Sequence, residues 1–175
     1  VFPVLETDRL NLRQIHERDR ESIYTLFSNE NVLRYYGQSP FENEEQANDL
    51  INHFNNIYTN RKGIRWGIEL KASEDLMGTV GFHLWSPNHR RAEIGYELLP
   101  SYWNNGLGSE AIKRVIQYSF TEMKLHRVGA VVFVENDASN NLLEKLGFEK
   151  EGLLKEYMFH NGKYKDTYIY SFLKN

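Results

Sequence analysis

The chain has 175 residues, with 21 basic against 24 acidic side chains, a net charge of -3 and no cysteine. That length suits one domain, residues 1–175, able to bury roughly 70% of the surface its unfolded form exposes, while the acidic balance disfavours nucleic acid as a partner. Missing cysteine removes disulfides, cysteine-bearing zinc sites and thiol nucleophiles, the six histidines form no H-E-x-x-H metal motif, and no apolar run reaches the roughly 18 residues of a membrane span.

In chain order, the start VFPVLETDRL has neither a basic leader nor a long apolar stretch, so a cytoplasmic protein is expected. RLNLRQI alternates apolar and polar residues from Leu10 to Ile15, as a half-buried strand does. A helix follows, with Asp19 placed to cap it and Ile23, Leu26 and Phe27 on its apolar face. Asn29 to Tyr36 reads as a short helical piece closed by Gly37 and Pro40. Ala47, Leu50, Ile51, Phe54, Ile57 and Tyr58 then recur at helical spacing.

The period next changes to two. WGIEL, MGTVGFHLW and AEIGYELL are successive strands of an antiparallel meander. Ala111, Ile112, Val115, Ile116, Ser119 and Phe120 share one face of a strong helix, and RVGAVVFVE is a central strand. ASNNLLEKLGF is a short helix ended by a left-handed Gly147, and the tail is two strands around an Asn161-Gly162 turn. The expected fold is therefore α/β (α+β), with a mixed, mostly antiparallel sheet flanked by helices.

The segment WNNGLGSEA carries G-x-G-x-x-A, one form of the dinucleotide fingerprint, with Glu135 downstream as a possible ribose ligand. The surroundings argue against a nicotinamide site. Six residues, Pro100 to Asn105, separate Leu99 from Gly106, about a hundred residues precede the loop, and the chain after it ends in an antiparallel hairpin.

AEIGYELLPSYWNNGLGSEA, LHRVGAVVFVENDASNNLLEKLGFEKEG and the closing NGKYKDTYIYSFL, in that order, resemble the GNAT superfamily of N-acetyltransferases, most closely its RimJ/RimL branch. The resemblance implies acetyl-CoA as the cofactor. It implies that Leu98 and Leu99 offer backbone groups to the pantetheine arm, that Asn104, Asn105, Gly106, Gly108 and Ser109 line the pyrophosphate, and that Asn136 and Asn140 contact the cofactor through their side chains. Trp103 stands where the family's phosphate loop often has Gln or Arg. Read without the family, Asn136 is a turn residue and Ser139 or Asp137 a helix cap.

For acetyl transfer to an amine, Glu93 and Glu97 share a strand face, and the resemblance favours Glu93 as base; its alternative is a structural partner of Arg90 or Arg91. The tyrosine acid of many relatives is replaced by Leu143, so the resemblance moves the donor role to Ser139. The expected acceptor is an amine-bearing substrate, first of all a protein N-terminus, because an α-amine titrates near ~8 and a lysine near ~10.4. Small amines such as polyamines or antibiotics, a non-catalytic CoA-binding module, and the oxidoreductase remain as alternatives. No nucleic acid or membrane is expected as partner, and a homodimer is left open. Tyr35, Tyr36, Trp85 and Tyr164 are candidates for the wall of an acceptor slot.

Overall fold

A computed structural model describes residues 1–175. Leu5–Glu6 (β1) and Leu10–Gln14 (β2) open the chain, followed by helices Arg20–Ser28 (α1), Glu30–Leu33 (α2) and Glu44–Thr59 (α3). The meander is Ile64–Leu70 (β3), Leu76–Ser86 (β4) and Arg91–Leu98 (β5). Then come Leu107–Thr121 (α4), Arg127–Phe133 (β6), Asp137–Lys145 (α5), Glu149–His160 (β7) and Lys163–Leu173 (β8).

Local chemistry explains most of the boundaries. Asn43 and Gln46 form a reciprocal capping box at the start of α3, and Asn29 caps α2 by accepting from the N–H groups of Asn31 and Val32. Asp19 departs from expectation. Its side chain makes no cap bond to α1; it accepts instead from the His16 N–H at 2.8 Å and from both Nη atoms of Arg13 at 2.9 and 3.0 Å. A guanidinium within reach offers this carboxylate stronger, charge-assisted bonds than a helix N–H does. At the tail, Asn161 and Gly162 both have positive φ, 51° and 74°, as a two-residue hairpin turn of this hand requires.

The eight strands lie in the order β1-β2-β3-β4-β5-β6-β8-β7. Every neighbouring pair is antiparallel except β5 with β6. That parallel ladder is short: Arg91–Arg127, Ala92–Val128 and Glu93–Gly129, and then it stops. Beyond it β5 stays paired with β4 as far as Leu98, while β6 follows β8 as far as Phe133. The sheet thus opens into a V between Ile94–Leu98 and Ala130–Phe133.

Two apolar cores hold the sheet. On one face α4 packs Leu107, Ala111, Ile112 and Val115 against Trp66, Val80, Phe82, Ile94 and Val128. On the other, Ile23, Leu26 and Phe27 of α1 meet Ala47, Ile51 and Phe54 of α3. Each fully buried large apolar side chain contributes about 1.5–3 kcal/mol, so the arms of the V are rigidly backed.

Candidate active site

The chain leaves β5 through a 3-10 turn, Pro100–Tyr102, and then builds the glycine loop. Trp103 donates its indole N–H to the Leu98 carbonyl at 2.7 Å, which folds the loop back over the open end of β5. Asn104 and Gly106 both take left-handed backbone, φ 64° and 75°. The first intrahelical bond at the start of α4 runs from the Glu110 N–H to the Gly106 carbonyl, so the N–H groups of Leu107, Gly108 and Ser109 have no helical acceptor. A methyl group placed on Gly108 would meet nothing within 4 Å. Bare backbone at a helix N-terminus, with its partial positive charge, suits a pyrophosphate.

The loop is tied down from behind. Arg9 donates to the Asn105 carbonyl at 2.9 Å and pairs with Glu110 at 2.8 Å, and Glu110 also accepts from the Thr7 hydroxyl.

In front of the loop lies a cleft of about 610 Å³ that reaches through the V. It gathers most of the cofactor residues expected from the sequence: Leu98, Asn104, Gly106, Gly108, Ser109 and Asn136, with Ser139 beside them. Three others lie outside it. Leu99 packs against the α1–α3 core and its N–H binds the Met77 carbonyl at 2.9 Å. Asn105 turns its carbonyl to Arg9. Asn140 is buried, donating to the carbonyls of Phe133, Val134 and Asn136 and accepting from the Tyr170 hydroxyl at 2.6 Å. It clamps the start of α5 to β6 and β8, leaving no amide group free for a ligand. Asn136 does two things, lining the cleft and capping α5 by accepting the Ser139 N–H at 3.3 Å.

The polar chemistry of the cleft centres on Tyr96 and Ser139, whose hydroxyls are 2.9 Å apart. Burial pushes the Tyr96 phenol above its ordinary range, so it stays protonated. Glu97 points to the other side of β5. Arg65 grips both its oxygens at 2.5 and 2.6 Å, and the Thr79 hydroxyl donates to it as well. Burial disfavours the Arg65 charge, but Glu97 more than offsets it and the guanidinium is held above its usual range. Tyr36 sits beside this pair, its phenol pushed up by burial and by the Glu97 charge.

Glu93 lies elsewhere. Both carboxylates share a strand face as alternation requires, yet Glu93 is about 16 Å back along β5 from Leu98. It lines a second cavity with His83, 3.9 Å from its carboxylate, and Arg127, not the cleft. Burial raises its carboxyl, with the Arg127 charge partly opposing. Arg90 and Arg91 make no ion pair with it. The four aromatics proposed as one wall separate too. Tyr35 and Tyr36 line the cleft, Trp85 lines the second cavity, and Tyr164 is exposed against Phe159 at the hairpin tip. Glu135 pairs with Lys165 at 2.9 Å.

Sequence reasoning missed Tyr96 and Arg65. Tyr96 had a usable signal, since it stands two residues before Leu98 and so on the same strand face. Arg65 had none, because only the β3-β4-β5 register brings it under Glu97.

Known proteins agree with this geometry. The family model for the acetyltransferase (GNAT) domain matches residues 9–149. An uncharacterized N-acetyltransferase of Bacillus subtilis, YoaA, is 52% identical over 174 residues, covering 99% of this chain and 98% of its own. The spermidine N(1)-acetyltransferase of Vibrio cholerae is 33% identical over 159 residues, 91% of this chain and 90% of its own. A crystal structure of spermidine N-acetyltransferase from that organism in complex with CoA and spermine superposes with a TM-score of 0.85 at 30% identity, over 95% and 96% of the two chains. The fold is thus shared with an enzyme crystallised with CoA, and the family match over residues 9–149 shows that this chain belongs to the GNAT family of N-acetyltransferases.

Proposed function

We propose that the protein transfers acetyl from acetyl-CoA to the α-amino group of a peptide or protein N-terminus. The carrying observation is the charge of the cleft. Glu97 is the only carboxylate lining it, and Arg65 neutralises that carboxylate from below, while Arg34 and Lys145 add positive charge to the wall. A polycation such as spermidine would find no free anion there. The Vibrio relative named for spermidine makes polyamine acetylation the competing reading.

The bare N–H groups at Leu107, Gly108 and Ser109 hold the pyrophosphate, with Lys145 as a cation for phosphate across the cleft. Acetyl-CoA supplies an activated thioester carbonyl. Leu98 and Tyr96 project backbone groups into the V where β6 no longer pairs with them, and these orient the acyl arm. With no free carboxylate within the cleft, the amine must arrive neutral, which an α-amine near pKa ~8 does far more readily than a lysine near ~10.4. Ser139 gives its hydroxyl proton to the departing sulfur, and Tyr96 replaces it through their shared hydrogen bond. Tyr96 is refilled by the proton released from the new amide nitrogen. The N–H and C–S bonds break, the N–C and S–H bonds form, and no side chain ends ionised.

Thiol release from acetyl-CoA, with mass spectrometry of the products, tests the reading. Peptides with a free N-terminus should turn over at least about tenfold faster than spermidine, with the acetyl on the α-nitrogen. Faster turnover of spermidine than of every peptide overturns it.

A further inference from the structure

The second cavity, about 690 Å³, lies on the α3 side of the sheet at the closed end of the V, over Gly129 and Ile169 and beneath His53 and Ile57 of α3. Lys62, Arg91 and Arg127 line it, against Glu93 as the single carboxylate. Arg127 is held by Glu151 through two bonds of 2.6 and 2.9 Å, whereas Lys62 and Arg91 make no ion pair. Arg61 lies over the Trp85 ring, 5.4 Å from its centre, and adds a further cation at the same edge. Burial, then the Arg65 charge, holds His83 neutral down to about 4. A chain of net charge -3 therefore keeps a surplus of unpaired cations around one apolar-floored groove.

The groove and the cleft are the two ends of one seam, where β5 and β6 part. We propose that the groove is a subsite for carboxylate side chains of the acceptor, an extended polypeptide whose amino end occupies the cleft. This rests on the N-terminal acetylation reading. From Leu98 back to Arg91 is roughly seven residues of strand at about 3.3 Å each, or about 23 Å, so the recognised acids stand about five to seven residues beyond the acetylated one. The cations exclude basic segments as they attract acidic ones, and so set specificity by charge.

The test uses the full chain and N-acetylated, fluorophore-labelled decapeptides carrying Asp, Asn or Lys at residues five to seven, read by polarisation. The Asp peptide should bind about tenfold tighter than its Asn twin, with the difference shrinking as salt rises. In the Lys62→Glu/Arg91→Glu variant the preference for Asp should vanish, while turnover of an unlabelled tripeptide, too short to reach the groove, stays unchanged. Equal binding of the Asp and Asn peptides, or a preference that survives the double variant, overturns the subsite. Tighter binding of a single-stranded oligonucleotide than of the Asp peptide also overturns it. If the tripeptide is not acetylated, the α-amine reading fails, but the binding comparison still decides the groove.

Discussion

Tyr96 on β5 and Ser139 on the first turn of α5 join hydroxyls at 2.9 Å across the cleft, in the region where the two arms of the sheet share no ladder. If they pass one proton between them, either alone is insufficient. Tyr96→Phe and Ser139→Ala should each lower kcat by about 10²-fold, with CoA affinity little changed by calorimetry, and the double variant should be no worse than the worse single one. Additive losses would mean two independent roles.

Gly108→Asp should abolish acetyl-CoA binding without unfolding the protein, because the added side chain enters open space but sets a negative charge at the helix start. At 100 times its dissociation constant the cofactor stabilises the wild type by about 2.7 kcal/mol. The variant should melt at the same temperature with and without it.

Arg65 and Glu97 make a buried pair, with side chains 6% and 1% exposed. Glu97→Gln or Arg65→Met should each destabilise the fold by about 3–5 kcal/mol in urea titrations, since one charge or its partner is left without compensation. Arg65→Met with Glu97→Leu together should recover most of that loss.

Glu93→Gln should leave turnover of a short peptide within about twofold, because this side chain lies in the second cavity and not in the cleft. A fall of about 10²-fold would restore it as the base that strand position and family likeness first indicated.

Desolvation against the sheet, then the Arg65 charge, push the His83 imidazole from an ordinary 6.5 down to about 4, although its side chain stays about half exposed. Between those values the unfolded chain binds the proton and the folded one does not, so the stabilisation is complete above 6.5 and is lost as pH falls toward 4. His83→Gln should flatten the dependence of melting temperature on pH in that window. Burial raises Asp19, but hydrogen bonds from Arg13 and His16 together hold it below its ordinary 3.8, so its contribution fails only at lower pH.

The sheet, the helices and the loop were legible because each follows from local rules. Alternation marks β3 to β5, a 3.6 period marks α3 and α4, and glycine with asparagine marks the turns. The helix start that lines the cleft was legible where backbone supplies it, at Gly106 to Ser109, since a helix start needs no partner from afar. It was not legible where long-range register decides the chemistry. The same-face spacing of Glu93 and Glu97 is correct, yet only the neighbouring strands reveal that Arg65 holds one and that the parallel ladder strands the other. Asn140 lies outside the cleft for a related reason: in sequence it is a polar residue one turn from Asn136, and in the fold the Tyr170 hydroxyl and three carbonyls engage its amide.

The ties from Arg9 and Thr7 to Asn105 and Glu110 fix the shape of the glycine loop before any ligand arrives. A loop with two left-handed residues would, if free, sample many shapes, and a ligand would have to freeze it on arrival. Here the connection between β1 and β2 performs that freezing during folding. Cofactor affinity is thereby linked to residues about a hundred positions away, and a lesion at Arg9 would register as weak binding in a cleft whose every lining residue is intact.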